Sequence, residues 1–130
     1  MTHAIPKPDA HQPLREALRD MCKSFDSKYW QEVDEARGYP EAFVKTLTEA
    51  GWLAALIPTE YGGSGLGLAE ASVIMEEINL SGGNAGSCHG QMYNMGTLLR
   101  HGSDLQKQTY LPKIASGQLR LQSMAVTEPT

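Results

Sequence analysis

Apolar residues recur at intervals of three and four over most of the chain, the spacing that places side chains on one face of a helix. The first such stripe follows Pro13, a residue that suits the first turn of a helix. This pattern predicts a helix from about residue 12 to the mid-thirties, with a break near Ser27. The residues of the stripe are Leu14, Leu18, Met21, Cys22, Phe25 and Tyr29.

Glycine and proline divide the rest of this pattern into further helices. Pro40 opens the second helix and Gly51 ends it. The third begins at Leu68 and ends before Gly82, and the fourth continues to Gly102. Most of the chain is therefore predicted to be helical.

The pattern changes near the C-terminal end. Ser103 and Gln106 match a capping box, which predicts a fifth helix running into Pro112. After Gly117 the helical period gives way to alternation over residues 119–126, which is typical of a strand. We predict a mainly α fold of about five to six helices, with a short β-strand at the C-terminal end.

Length and charge limit the organisation and the partners. A chain of 130 residues and 14.2 kDa holds one domain. We expect a flexible N-terminus over residues 1–10, a helical domain over 11–118 and the start of a β-domain over 119–130. The net charge of −4, with no basic block, argues against nucleic acid. Apolar runs far shorter than about 20 residues and the absence of a targeting pattern predict no membrane association and a cytoplasmic location.

A glycine-rich stretch between the second and third helices is the first candidate for chemistry. Gly63, Gly65 and Gly67 precede a helix, as the glycines of a phosphate-binding loop do. However, no buried strand precedes them and no Gly-Lys-Ser/Thr follows. We favour a structural turn and keep a phosphate site as the alternative.

Metal and acid–base chemistry have little support. The histidines and cysteines lack ligand spacing, so we expect no metal site and two packing thiols. Glu76 and Glu77 are adjacent and point about 100° apart on a helix, so at most one faces the interior. We assign no catalytic residue. The histidines and cysteines are His3, His11, Cys22, Cys88, His89 and His101.

Methionines are the candidates for contact with an apolar ligand. Met75, Met92, Met95 and Met124 have the flexible thioether that adapts to an acyl chain. Methionine at helical spacing more often fills the core, and we favour that interpretation. Met92 and Met95 are the predicted substrate contacts if such a ligand binds.

Four separated motifs occur in order along nearly the whole chain. Gly51-Trp52 with residues 57–65 is similar to a Gly-Trp pair followed by Pro-Glu-Glu-Tyr-Gly-Gly-x-Gly, departing at Thr59. A paired-acid helix is matched by Glu76-Glu77-Ile78, and a Gln-Lys-x-x-Tyr-Leu-Pro segment is matched within residues 102–117. The first half of an Ala-x-Thr-Glu-Pro-x-x-Gly-Ser-Asp motif is matched by residues 125–129. Together they resemble the N-terminal part of the acyl-CoA dehydrogenase family.

This resemblance implies a three-part FAD-dependent subunit, usually in a homotetramer. The chain resembles its N-terminal helical domain plus the first strand of the middle domain, so we expect an N-terminal fragment that is inactive alone. Family members oxidise an acyl-CoA to the trans-2-enoyl thioester: a carboxylate removes the α-proton and the β-hydrogen leaves as hydride to the flavin. Electrons then pass to an electron-transfer flavoprotein.

The resemblance also assigns residues. Thr127 matches the threonine that hydrogen-bonds the pyrimidine edge of the flavin, and Met124 and Val126 lie on the same segment. The catalytic base is expected in a C-terminal domain that this chain lacks, and the faces of the third and fourth helices toward missing domains are expected to be exposed and apolar. The alternatives are the helical domain of a related flavin oxidase or monooxygenase, and a stand-alone helical binding module without flavin.

Overall fold

The computed structural model describes residues 9–129 and confirms the mainly α fold. Within these residues there are six helices. They are α1 (Gln12–Cys22), α2 (Ser27–Glu35), α3 (Glu41–Glu49), α4 (Leu68–Leu80), α5 (Gly86–His101) and α6 (Asp104–Ser116), with single 3₁₀ turns at Trp52–Ala54 and Thr59–Tyr61. The predicted flexible N-terminus lies outside the described residues, except for positions 9 and 10.

The first predicted helix is divided in two, at the break expected near Ser27. The carboxylate of Asp26 accepts a hydrogen bond from the amide of Tyr29 at 3.0 Å and so caps α2. The turn before it buries Phe25 against Tyr29 and Phe43, with ring centroids 4.9 and 5.2 Å apart.

Two features near the C-terminal end differ from what the sequence pattern indicated. Helix α6 passes through Pro112 to Ser116 instead of ending at the proline. Leu111 and Ile114 are fully buried, and this burial offsets the cost of a proline within a helix. The predicted short strand is not shown within residues 119–129, because an extended segment becomes a strand only when its backbone groups pair with a neighbouring strand.

A single core joins the helices. Helix α1 packs most extensively on α4, α3 contacts the Trp52–Ala54 turn and α6, and α5 lies between α4 and α6. Cys22 and Cys88 are free thiols in this core, which confirms the packing prediction, and burial raises the pKa of Cys88 to about 12. The large residues that are fully buried include Leu18, Phe43, Leu47, Leu53, Ile57, Ile74, Ile78, Met95, Leu111 and Ile114.

Candidate functional site

An open groove of about 720 Å³ runs between α4 and α5. We call it the α4–α5 groove. Its rim includes Ser72, His89, Tyr93 and Arg100, and the rings of His89 and Tyr93 meet edge to face with centroids 5.2 Å apart. A groove of this volume, apolar inside and polar at its rim, suits a small amphipathic ligand. Its apolar lining consists of Leu56, Leu66, Leu68, Ala71, Met75, Met92 and Leu99.

The two predicted substrate contacts lie in different places. Met92 borders the α4–α5 groove, although its side chain is only 4% exposed. Met95 is fully buried in the core and does not line this groove. Met75 lies across the groove on α4 and is partly exposed. The structure therefore pairs Met92 with Met75 and leaves Met95 to packing.

A second groove, of about 740 Å³, lies on the other side of α5. We call it the α5–α6 groove, and residues 119–128 form one of its walls. Met124 and Val126 line it, whereas Thr127 lies outside its lining and is exposed. Thr97 and His101 border both grooves. Helix α5 thus separates the α4–α5 groove from the α5–α6 groove.

The backbone of residues 124–128 makes no hydrogen bond to any residue that the structure describes. Met124 and Val126 expose 39% and 71% of their surface. The segment therefore offers free donors, free acceptors and an apolar surface on one edge.

Helix α5 also holds the chain just before this edge. The hydroxyl of Tyr93 donates to the carbonyl of Gln122 at 3.1 Å, and the amide of Asn94 donates to the carbonyl of Leu121 at 3.2 Å. Gly90 lies beneath Gln122. Sequence reasoning missed these three residues. The available signal was Gly90 itself, because a glycine inside a helix often marks a close backbone contact.

The paired acids take part in an ionic network that joins α1 to α4. Glu77 is 1% exposed, and Arg19 binds it with two hydrogen bonds of 2.7 and 2.9 Å. Arg15 donates to Glu77 at 2.9 Å and to the exposed Glu76 at 2.7 Å. The hydrogen bond from Arg19 and then that from Arg15 lower the pKa of Glu77. One acid facing inward confirms the prediction, and its two guanidinium partners suit it to a structural role.

The glycine-rich loop uses its amides internally. The amides of Gly65 and Leu66 donate to the carbonyls of Ile57 and Ala55, both at 2.8 Å, and that of Ser64 donates to Ala54 at 3.2 Å. These donors are engaged, so the structure favours the structural turn over the phosphate site. No group of three or more potential metal ligands occurs within residues 9–129, and no helix in this part is long and apolar enough to span a bilayer.

Comparison with known proteins identifies the family. The model of the acyl-CoA dehydrogenase N-terminal domain matches residues 8–118. The chain belongs to the acyl-CoA dehydrogenase family. The α4–α5 groove lies within the matched residues, whereas Met124, Val126 and Thr127 lie beyond them.

Curated relatives of this acyl-CoA dehydrogenase domain cover nearly all of the chain. A mitochondrial isovaleryl-CoA dehydrogenase from Pongo abelii is 33% identical over 125 residues, which cover 93% of the chain and 29% of the relative. A mitochondrial short-chain specific acyl-CoA dehydrogenase from Bos taurus is 31% identical over 129 residues, which cover 97% and 31%. The chain thus spans about three tenths of the length of these relatives.

Solved structures share the fold. One, reported with the electron transferring flavoprotein of Acidaminococcus fermentans, has a TM-score of 0.72 at 23% identity and covers 92% of this chain and 32% of its own. Another, from the ChsE4–ChsE5 complex of Mycobacterium tuberculosis, has a TM-score of 0.63 at 26% identity and covers 90% and 30%. The helical arrangement therefore recurs as part of larger chains.

Proposed function

We propose that this chain is the helical part of a FAD-dependent acyl-CoA dehydrogenase that converts an acyl-CoA thioester into trans-2-enoyl-CoA. The α4–α5 groove receives the acyl chain, and the segment Met124–Thr127 borders the flavin. The observation that carries the proposal is the pair of open apolar grooves on either side of α5, in a chain that matches the family model over residues 8–118.

The groove suits the acyl part of the substrate. Met75 and Met92 both line it, and their unbranched side chains adapt to acyl chains of different lengths. Burial of each methylene from water contributes about 0.8 kcal/mol. Arg100 and His101 at one end of the groove add cationic or polar groups, which suit the charged part of a coenzyme A thioester. We extend the substrate contact from the predicted Met92 to Met75 and leave Met95 in the core.

The exposed segment suits one edge of a flavin. Its free backbone groups and the hydroxyl of Thr127 provide donors and acceptors for the pyrimidine edge, and Met124 and Val126 provide an apolar surface. The flavin, when bound, supplies the acceptor for the β-hydrogen of the substrate. Donors held near its pyrimidine edge stabilise negative charge there.

Neither of the paired acids on α4 suits the role of α-proton base. Glu77 is held by two arginines, and Glu76 lies on the exposed side of α4 beside Arg15. We propose that the base belongs to another part of the full enzyme, which passes its electrons to an electron-transfer flavoprotein and assembles as a homo-oligomer. The compartment is likewise a proposal: the sequence favours the cytoplasm, whereas the curated relatives described above are named mitochondrial.

One methionine-labelled sample tests both halves of the proposal. With ¹³C-methyl methionine, octanoyl-CoA is expected to shift the methyl signals of Met75 and Met92, and FAD is expected to shift that of Met124. Met95 is the internal control because it is fully buried. Free coenzyme A controls for contacts that do not involve the acyl chain.

The two ligands can fail independently. Shifts at Met75 and Met92 that free coenzyme A reproduces would contradict the acyl groove. A Met124 signal that does not move with FAD would contradict the flavin edge. A chain that responds to octanoyl-CoA but not to FAD would favour the alternative of a helical binding module without flavin.

A further inference from the structure

Residues 121 and 122 are held by side chains of α5, whereas the backbone of Leu119 donates to the carbonyl of Lys113 on α6 at 3.1 Å. The carbonyls of Leu121 and Gln122 are consecutive acceptors, and consecutive residues of α5 supply their donors: Asn94 at 3.2 Å and Tyr93 at 3.1 Å. Asn94 also donates to the carbonyl of Gly90 at 2.7 Å, which fixes its side chain against the helix. The segment is therefore attached at two adjacent positions.

Gly90 makes this attachment sterically feasible. A Cβ atom at Gly90 would lie 2.9 Å from the carbonyl oxygen of Gln122 and 3.2 Å from its Cα atom. Both are backbone atoms, so they cannot move aside as the end of a flexible side chain does. Gly96, on the same helix, is different, because a Cβ atom there would meet nothing within 4 Å. The need for glycine is thus local to the crossing point of the segment.

Two outer contacts support the same segment from α3 and the turn before it. The guanidinium of Arg120 pairs with the carboxylate of Glu41 at 3.0 Å, and the side-chain amide of Gln122 donates a hydrogen bond to the hydroxyl of Tyr39. Glu41 is 67% exposed, and exposed ion pairs contribute little. The positions of Leu121 and Gln122 therefore depend mainly on the part-buried contacts with α5.

We propose that Gly90, Tyr93 and Asn94 are positioning residues for the flavin edge, an inference that rests on the function proposed above. They fix residues 121 and 122, and the chain reaches Thr127 only five residues later, about 16 Å away if fully extended. A small rotation at the attachment would therefore displace the Thr127 hydroxyl substantially. Hydrogen bonds to a reacting group tolerate little such displacement.

Residue-specific carbonyl signals test the attachment without flavin. In the 130-residue chain labelled with ¹³C, Tyr93→Phe is expected to move the carbonyl signal of Gln122 relative to the unaltered chain, and Asn94→Leu that of Leu121. Gly90→Ala is expected to move both. Gly96→Ala and Tyr61→Phe are the matched controls and are expected to move neither, since Tyr61 lies in the Thr59–Tyr61 turn. A purely global loss of stability would not produce this selectivity.

Trypsin cleavage after Arg120 gives a second readout. Loss of one hydrogen bond of about 1 kcal/mol raises the population of the detached segment about fivefold. Cleavage follows that population when reattachment is fast. We expect about fivefold faster cleavage in Tyr93→Phe and Asn94→Leu and no change in the controls. Equal rates and unmoved carbonyl signals in both variants would overturn the attachment, even if Gly90→Ala fails to fold.

Addition of FAD separates positioning from simple attachment. In Tyr93→Phe and Asn94→Leu, the shift of the Met124 methyl signal with FAD is expected to shrink relative to the unaltered chain. An unchanged shift in variants whose carbonyl signals have moved would overturn the positioning role. If FAD moves no signal in the unaltered chain, the proposed flavin edge fails and the positioning role falls with it, while the carbonyl and trypsin results still report on the attachment.

Discussion

A single residue, Gly63, allows the backbone of the glycine-rich loop to pack closely against Ile57. A Cβ atom there would lie 2.0 Å from the carbonyl oxygen of Ile57 and 2.5 Å from its Cβ atom. The sequence indicated that this stretch was a structural turn, because the glycines followed a helix instead of a strand. It did not indicate which glycine was sterically required, since that depends on where Ile57 lies in the folded chain.

Substitution of Gly63 by alanine is expected to lower the free energy of unfolding by about 1–3 kcal/mol or more, the usual cost of an overpacked core. Gly96→Ala is the comparison, because its Cβ atom would meet nothing and alanine is the better helix former by roughly 0.8–1 kcal/mol. Urea unfolding of both variants measures the difference. Equal midpoints for Gly63→Ala and the unaltered chain would show that the loop can open without cost.

At the scale of the element, the residues that begin and end helices predicted the helix boundaries best. Pro40 and Gly51 bound α3 as predicted, and Ser103 begins α6 with a capping box. Pro112 did not mark the end of α6, because helix propensity is a local property whereas the burial of Ile114 depends on the tertiary fold. The predicted strand is not shown, since alternation of side chains says nothing about whether a partner strand is present.

The N-terminal cap of α6 provides a test of how much such a residue stabilises its helix. The hydroxyl of Ser103 accepts from the amide of Gln106 at 3.2 Å, and the side chain of Gln106 accepts from the amide of Ser103 at 2.8 Å. Ser103→Ala is expected to lower the free energy of unfolding by about 1 kcal/mol because it leaves a helix amide without its partner. Ser24→Ala, in the turn before α2, is the control. Thermal unfolding followed by circular dichroism measures both, and equal transitions would contradict the role of the cap.

At the scale of the whole molecule, α5 organises both candidate sites. It carries Met92 toward one groove, Asn94 toward the other and Gly90 beneath the segment that leads to Thr127. Of these α5 positions the sequence predicted Met92 as a candidate, but it predicted neither Gly90, Asn94 nor the two grooves. Groove position depends on how α4 and α6 pack beside α5, and periodicity determines only which face of each helix is apolar.

The ionic network between α1 and α4 makes the stability of the molecule depend on pH. The pKa of Glu77 is lowered in the folded state by Arg19 and Arg15, so its carboxylate stabilises the fold above the ordinary glutamate pKa of 4.5. That contribution is lost as the pH falls below this value toward the lower folded-state pKa. Because Glu77 lies on the helix that forms one wall of the α4–α5 groove, the groove should loosen over the same range.

Replacement of Glu77 by glutamine is expected to lower the free energy of unfolding at pH 7 by about 1–3 kcal/mol, the usual contribution of charged hydrogen bonds. The variant should also lose part of the decline in stability below about pH 5. Glu76→Gln is the control, because Glu76 is 52% exposed and exposed pairs contribute about 0–1 kcal/mol. Urea midpoints measured from pH 3 to pH 8 decide between them. Parallel pH curves for Glu77→Gln and the unaltered chain would mean that the pKa of Glu77 is the same in the folded and unfolded states, and the network would then contribute packing alone.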